Sequence, residues 1–167
     1  MWLMPIVAVL LVLLMAVVPK IDPRKVNLEK SKRAYLTGWI GALLVITGAH
    51  LVTVYIALGG QAPVVNVIFL MVGVLLSVLG NYLAKTRSNW FVGLRTPWTL
   101  SSEHAWAVGN RLAGRGLMIT GILIIGAVFL NNSLALILLT TVGVTGSAIV
   151  ATIASYFAWK NDPESQT

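Results

Sequence analysis

Five apolar runs divide this chain, at Trp2–Val18, Ala34–Leu58, Val64–Leu83, Leu112–Leu130 and Leu134–Trp159. Each is close to the roughly 17 to 25 residues that a helix needs to cross a bilayer core of about 30 Å. The polar residues collect in the connections, and these are of two kinds. Gly59–Pro63 and Asn131–Ser133 are short and uncharged. The other two, 19–33 and 84–111, are long and basic. Lys20, Arg24, Lys25, Lys30, Lys32 and Arg33 fall before the second run; Lys85, Arg87, Arg95, Arg111 and Arg115 separate the third from the body of the fourth; Lys160 follows the fifth.

This pattern predicts an all-α integral membrane protein, a single membrane domain over 1–167 built as a bundle of five transmembrane helices. Lys and Arg accumulate on the cytoplasmic side of membrane proteins. An odd number of spans with the N-terminus outside and the C-terminus cytoplasmic puts all 12 basic residues there. The opposite orientation puts none there. The expected location is the plasma membrane, with the lipid bilayer as the first partner. The two short connections make spans two and three one tight hairpin and spans four and five another. The first run resembles a signal peptide in length. It lacks a basic leading segment, however, and Ala16-Val17-Val18-Pro19 offers no small-x-small cleavage site, so a retained helix is expected.

Composition narrows the chemistry. A mean hydropathy of +0.87, with 57% hydrophobic and 10% charged residues, does not suit a soluble domain. The net charge of +7 alone fits a nucleic-acid partner, but the placement of the cations between apolar runs suits anionic headgroups instead. No direct nucleic-acid partner is expected. The absence of Cys removes disulfides, thiolate catalysis and Cys-based metal sites, and His50 and His104 are too few for a His-rich cage. No cofactor and no metal are expected, and no catalytic constellation is evident.

Within lipid, helices associate through close backbone approach and interhelical hydrogen bonds. Gly143, Ser147, Ala151 and Ser155 form a stripe of small residues on the fifth span at a spacing of four, which packs either inside the chain or against a second copy in a homodimer. Gly73, Ser77 and Asn81 repeat the spacing on the third span, and Gly41 and Gly48 lie a heptad apart on the second. His50, an ionisable residue within a span, has Asn66 as its expected hydrogen-bonding partner. No Asp or Glu lies in any span, which counts against a proton-driven pump.

Segment 81–115 concentrates the remaining chemistry. Gly93 permits a turn, Pro97 pushes Thr96 toward extended backbone, and Thr99 is the expected N-cap of a helix beginning at Leu100. Glu103 in its first turn meets the positive end of the helix dipole. That helix is expected to lie along the membrane interface through Asn110. Arg95, Glu103, His104 and Arg111 are the ionisable groups able to converge. Two alternatives stand: the arginines meet lipid phosphates and the tryptophans Trp90, Trp98 and Trp106 anchor in the headgroup belt, or Arg95, Trp98 and Glu103 form a recognition pocket. The candidate binding residues are Asn89, Arg95, Thr96, Pro97, Trp98, Glu103, Trp106 and Arg111.

The run Asn89-Trp90-Phe91-x-Gly93-x-Arg95-Thr96-Pro97-Trp98-Thr99-Leu100-Ser101, then Trp106 and Arg111-Leu112-Ala113-Gly114-Arg115, closely resembles the signature of the SdpI-type membrane proteins. Pro19-x-Ile21-Asp22-Pro23-Arg24, with Asn27, Lys30, Ser31 and Tyr35, looks like the companion region of that family. The resemblance covers residues 19 to about 130. It implies immunity to a secreted, membrane-active toxic peptide, with a cytoplasmic transcriptional regulator docked on the inner loop. Where relatives commonly show Thr-His-Arg this chain has Gly109-Asn110-Arg111, so a role needing a titrating imidazole there does not carry over. The other classes considered are a small transporter or lipid- or peptide-binding bundle lined by His50 and Asn66, and a membrane enzyme acting on a lipid headgroup.

Orientation is directly testable because the chain lacks Cys. A cysteine introduced at Asn132 is expected to react with a membrane-impermeant thiol reagent added from outside. Reaction only from the cytoplasmic side would reverse the assignment of both basic segments.

Overall fold

The long helices α1 (Leu3–Ile21), α3 (Lys32–Ala57), α4 (Val64–Leu83), α6 (Glu103–Val128) and α7 (Ser133–Lys160) account for the five apolar runs in the computed structural model, which describes residues 2–163. Each is long and apolar enough to cross a membrane, and no strand occurs among the described residues. Two short helices, α2 (Lys25–Lys30) and α5 (Pro97–Ser101), lie in the two charged connections. The helix ends follow the apolar runs closely except at α6, which begins nine residues before Leu112. Ser102 caps it, its side chain accepting from the Ala105 N–H at 3.0 Å, and Glu103 occupies the first turn.

Helix α6 is the centre of the bundle. It packs along α4 on one side and α7 on the other; α3 lies on the far side of α4, and α1 leans chiefly on α3. The α4–α6 contact is backbone against backbone. A Cβ built on Gly114 would come within 2.5 Å of the Gly80 carbonyl oxygen, and one on Gly121 within 2.5 Å of the Gly73 carbonyl oxygen. Two glycines a heptad apart on each helix therefore set the antiparallel register. The sequence stripe Gly73, Ser77, Asn81 is corrected at its last member: Gly80 takes the contact, while Asn81 is exposed beside it.

On the other side, Gly143 meets Thr120, Ser147 meets Gly116, and Ser155 lies against Gly109. Ala151 and Ser155 are fully buried. The small-residue stripe of the fifth span is thus occupied by α6 of the same chain, the first of the two alternatives its spacing offered. Close approach here replaces the hydrophobic driving force that lipid removes.

The register has a consequence for the charged end. With Gly80 opposite Gly114, Leu83 at the end of α4 stands level with Arg111. Helix α6 has 26 residues against 20 in α4, and at about 1.5 Å per residue its first eight rise about 12 Å beyond that level. Glu103–Asn110 form a post above the α4 end, with the C-terminal turns of α7 alongside.

The glycine seam predicts a sharp contrast on one helix. Gly121→Ala is expected to cost about 1–3 kcal/mol through overpacking against backbone. Gly126→Ala, where an added Cβ meets nothing within 4 Å, is expected to be neutral or to gain up to about 1 kcal/mol in helix propensity. Unfolding in mixed detergent, followed by circular dichroism, separates the two; equal effects would refute the seam.

Candidate functional site

Segment 84–102 wraps the α6 post, and two buried amides organise it. Asn89 is fully buried; its Oδ1 accepts from the N–H groups of Phe91 (2.9 Å) and Val92 (2.7 Å), while its Nδ2 donates to the carbonyls of Arg87 (2.8 Å) and Val92 (3.1 Å). Asn110, on α6, accepts the Leu94 N–H at 2.6 Å and donates to the Trp106 carbonyl at 3.1 Å. Trp106 is buried and its indole N–H donates to the Thr86 carbonyl at 3.0 Å. Gly93 turns the chain between them at φ +124°, and a Cβ there would meet Asn110 Oδ1 at 2.5 Å and the Trp106 ring at 2.9 Å. Both its conformation and its crowding call for glycine.

Helix α5 follows at once. Thr96, in extended backbone before Pro97, is its N-cap, and its hydroxyl accepts the Thr99 N–H at 3.2 Å while Thr99 Oγ1 accepts the Thr96 N–H at 2.8 Å. Pro97 occupies the first helical position, where a missing N–H costs nothing. Two features expected from the sequence are corrected here. Thr99 is the fully buried third residue of α5, donating to the Leu94 carbonyl at 2.9 Å, rather than the cap of a helix from Leu100. The helix expected from Leu100 through Asn110, with a direct run into the fourth span as one alternative, is the short α5 followed, after Ser102, by the first turns of the continuous α6.

The first charged connection closes over this loop. Asp22, fully buried at the end of α1, accepts the Arg24 N–H at 2.7 Å and the Trp90 N–H at 3.4 Å. The Arg24 guanidinium donates to Ser88 Oγ and, at 2.9 Å, to the Leu100 carbonyl. Asn27 Nδ2 donates to the Ser88 carbonyl at 2.8 Å, and Ser31 Oγ accepts the Arg87 N–H at 2.9 Å. On the opposite flank α7 contributes. Trp98 Nε1 donates to Ser155 Oγ at 3.0 Å, the Trp98 ring stands edge-on to Tyr156 at 5.4 Å, and Ser102 Oγ donates to the Asp162 carboxylate. Charged groups making such bonds to backbone are stronger ties than neutral pairs.

The candidate residues therefore fall into two sets. Asn89, Thr96, Trp98 and Trp106 hold the loop together or to the bundle, and burial takes Asn89 and Trp106 out of reach of any partner. Trp106 is likewise no headgroup anchor. Arg95, Pro97, Glu103, His104 and Arg111 are exposed, and the structure does not bring the ionisable ones together. The Arg95 guanidinium donates to the Trp90 carbonyl. Glu103 borders an open cleft of about 520 Å³ with Pro23–Asn27, Leu100 and Ser101. Arg111 lines a different cleft, with Asn81, Lys85 and Arg115. Neither Arg95 nor Trp98 lines the cleft that Glu103 borders.

The pairing of His50 with Asn66 is also corrected. Asn66 Nδ2 donates to the Val128 carbonyl at 3.2 Å and to Asn131 Oδ1, closing the α6–α7 turn. The pair that would have lined a transport path is absent. Sequence reasoning missed the clasp residues Ser88 and Ser102, the acceptor Asp162, and the structural use of Asp22, Arg24, Asn27 and Ser31. The available signal was two polar segments rich in Asp, Asn and Ser, adjoining one another only in space.

Comparison with known proteins finds a likeness for this loop and the helices that carry it. Residues 85–156 match the SdpI/YfhL protein family. The SdpI/YfhL segment takes in α5, α6 and most of α7, and the loop motif from Asn89 to Arg115 lies inside it. The chain is also similar to Immunity protein SdpI of Bacillus subtilis (strain 168), 33% identical over 132 residues that make up 79% of this chain and 63% of that protein. The chain thus spans less than two thirds of that relative's length. No solved structure matches it.

The Asn89 network sets an expectation for the loop. Asn89→Ala removes four hydrogen bonds and leaves buried backbone groups unpaired, a loss of roughly 2–4 kcal/mol. The variant is expected to melt at a lower temperature in detergent and to be cut by protease within 84–102 at concentrations that spare the wild type. Unchanged cleavage would mean that the loop is held without Asn89.

Proposed function

We propose that this protein is an SdpI-type immunity protein that protects the membrane holding it against a membrane-active toxic peptide, and that its charged end, on the cytoplasmic side, docks a transcriptional regulator. The observation that carries the reading is the interlock of the two charged segments. The loop motif resembling the family and the companion region 19–35 are distant in sequence, yet Asp22, Arg24, Asn27 and Ser31 bind directly to residues 87–100. The two make one platform at the end of a five-helix bundle. The 33% identity to an immunity protein agrees with this reading.

The platform's buried polar groups are spent on its own fold, so a partner meets its exposed edge. The cleft between α2 and α5 suits a regulator. Val26 is 65% exposed there, between the cations Arg24 and Lys25 and the carboxylate of Glu103. A mixed rim around an apolar centre is the usual composition of a protein-docking patch. No set of three or more His, Asp or Glu side chains gathers among the described residues, and a binding rather than a catalytic role is the simpler use of this surface.

Expression of the chain in a host lacking its own immunity gene is expected to restore growth in the presence of the toxic peptide. Growth no better than that of the empty host would refute the immunity reading. Val26→Asp with Glu103→Lys, which alters the cleft rim and leaves the clasp intact, is expected to keep protection while abolishing co-purification of the regulator. Loss of protection together with docking would instead place the peptide itself at that cleft.

A further inference from the structure

A second cleft, of about 360 Å³, opens on the flank of the bundle where α4 and α6 touch through Gly80 and Gly114. Because the two backbones meet there without side chains between them, an open groove is left beside the contact, with Ala84 and Met118 at its apolar floor and polar side chains along both walls. One wall carries Arg111 and Arg115, one turn apart on α6. The other carries Asn81, in the last turn of α4, and Lys85, two residues beyond its end. No acidic residue lines it among the described residues. Neither guanidinium has a hydrogen-bond or ion-pair partner among the described residues, while Lys85 Nζ donates to Asn81 Oδ1 at 3.1 Å and stands 5.9 Å from the Tyr82 ring centre.

Depth makes this cluster unusual. The Gly80–Gly114 register sets Arg115 level with Leu79, about 6 Å inside the end of the apolar α4. A cation at that level, without a carboxylate partner, turns its head toward the interface. Arg111, Arg115 and Lys85 line this one cleft from its two sides, near the end of an apolar span, where headgroup phosphates are expected. Guanidinium groups bind phosphate oxygens in pairs, and a lysine adds a point charge.

We propose that this cleft binds a phosphate group, supplied by the headgroup of an anionic phospholipid: Arg111 and Arg115 grip its non-bridging oxygens from α6, and Lys85 closes on it from the turn that follows α4. With three cations and no acid to receive an ammonium, the site favours a headgroup of net negative charge over a zwitterionic one. Such a lipid would brace α4 against α6 next to the loop platform. The site is separate from the regulator cleft and does not depend on the immunity reading.

The test uses the full-length protein in detergent, titrated in parallel with dioctanoyl-phosphatidylglycerol, dioctanoyl-phosphatidylcholine and inorganic phosphate, with the shift in melting temperature giving an apparent affinity. Phosphatidylglycerol is expected to stabilise the wild type, with phosphatidylcholine much weaker. In Arg111→Gln/Arg115→Gln its apparent affinity is expected to fall at least about tenfold. Arg111→Lys/Arg115→Lys, which keeps the charge and loses the forks, is expected to fall between. Lys20→Gln/Lys32→Gln removes the same net charge away from the cleft and is expected to bind like the wild type. A shift with inorganic phosphate alone, lost in the Gln variant, would support the phosphate site and make free phosphate its source. Equal phosphatidylglycerol shifts in the wild type and the Gln variant, or a loss as large in Lys20→Gln/Lys32→Gln, would overturn the proposal.

Discussion

Irregular backbone at the end of a lipid-embedded bundle has to satisfy its own N–H and C=O groups, because neither lipid nor a neighbouring strand will do so. The charged end of this protein is arranged around that constraint. Helix α6 outlasts α4 by about two turns, and segment 84–102 winds about the exposed post. Asn89 and Asn110 each present an acceptor and a donor to the passing main chain, as a strand edge would. Trp106 fills the space between post and loop while its indole N–H takes up one more carbonyl. A loop so short of regular structure is rigid because side-chain amides stand in for a ladder.

The same constraint explains why the first connection is there. Arg24 and Asn27 reach the Ser88 and Leu100 backbone from outside, and Asp22 receives the Trp90 N–H. These bonds join segments 61 to 76 residues apart in sequence, so each fixes α1–α3 relative to α4–α6 at a point where the helices themselves touch little. Below, the glycine seam does equivalent work for α4 and α6. A bundle with few apolar driving forces between its helices is thus pinned at two heights, by close backbone approach within the membrane and by polar ties at its end.

What the sequence discloses follows the range of the forces involved. The spans were legible because twenty apolar residues in a row admit one structure in lipid. The start of α6 was not, since residues 103–111 are polar enough to read as a surface segment and the decisive cap, Ser102, resembles its neighbour Ser101. Thr99 was recognised as a helix cap and Thr96-Pro97 as the turn before it, but the capping pair is Thr96 with Thr99, and only the geometry shows that the helix is five residues long. The stripe Gly143, Ser147, Ala151, Ser155 was visible, while its partner was not: of Gly109, Gly116 and Thr120 only the last two are four apart, and no unbroken run at that spacing joins the three on the facing side of α6. Site assignments suffered most. Residue types apt for recognition, Trp and Asn above all, are equally apt for burying a polar loop, and sequence spacing does not distinguish the two uses.

That ambiguity bears on how a family pattern is to be interpreted. The most distinctive residues of the loop, Asn89, Gly93, Thr96, Thr99 and Trp106, are those the loop needs in order to fold. Shared residues of this kind transmit a platform and leave its ligand open. Trp90, Arg95, Val26 and Glu103 are exposed around it, and of these side chains only Arg95 donates a hydrogen bond to the loop. The chain's departure from the family pattern at Gly109-Asn110 fits this division. Asn110 is buried, and its amide both accepts from and donates to main chain, a task that hydrogen-bonding capacity accomplishes without titration. A substitution at such a position alters how the platform is held, and the surface offered to a partner can remain the same.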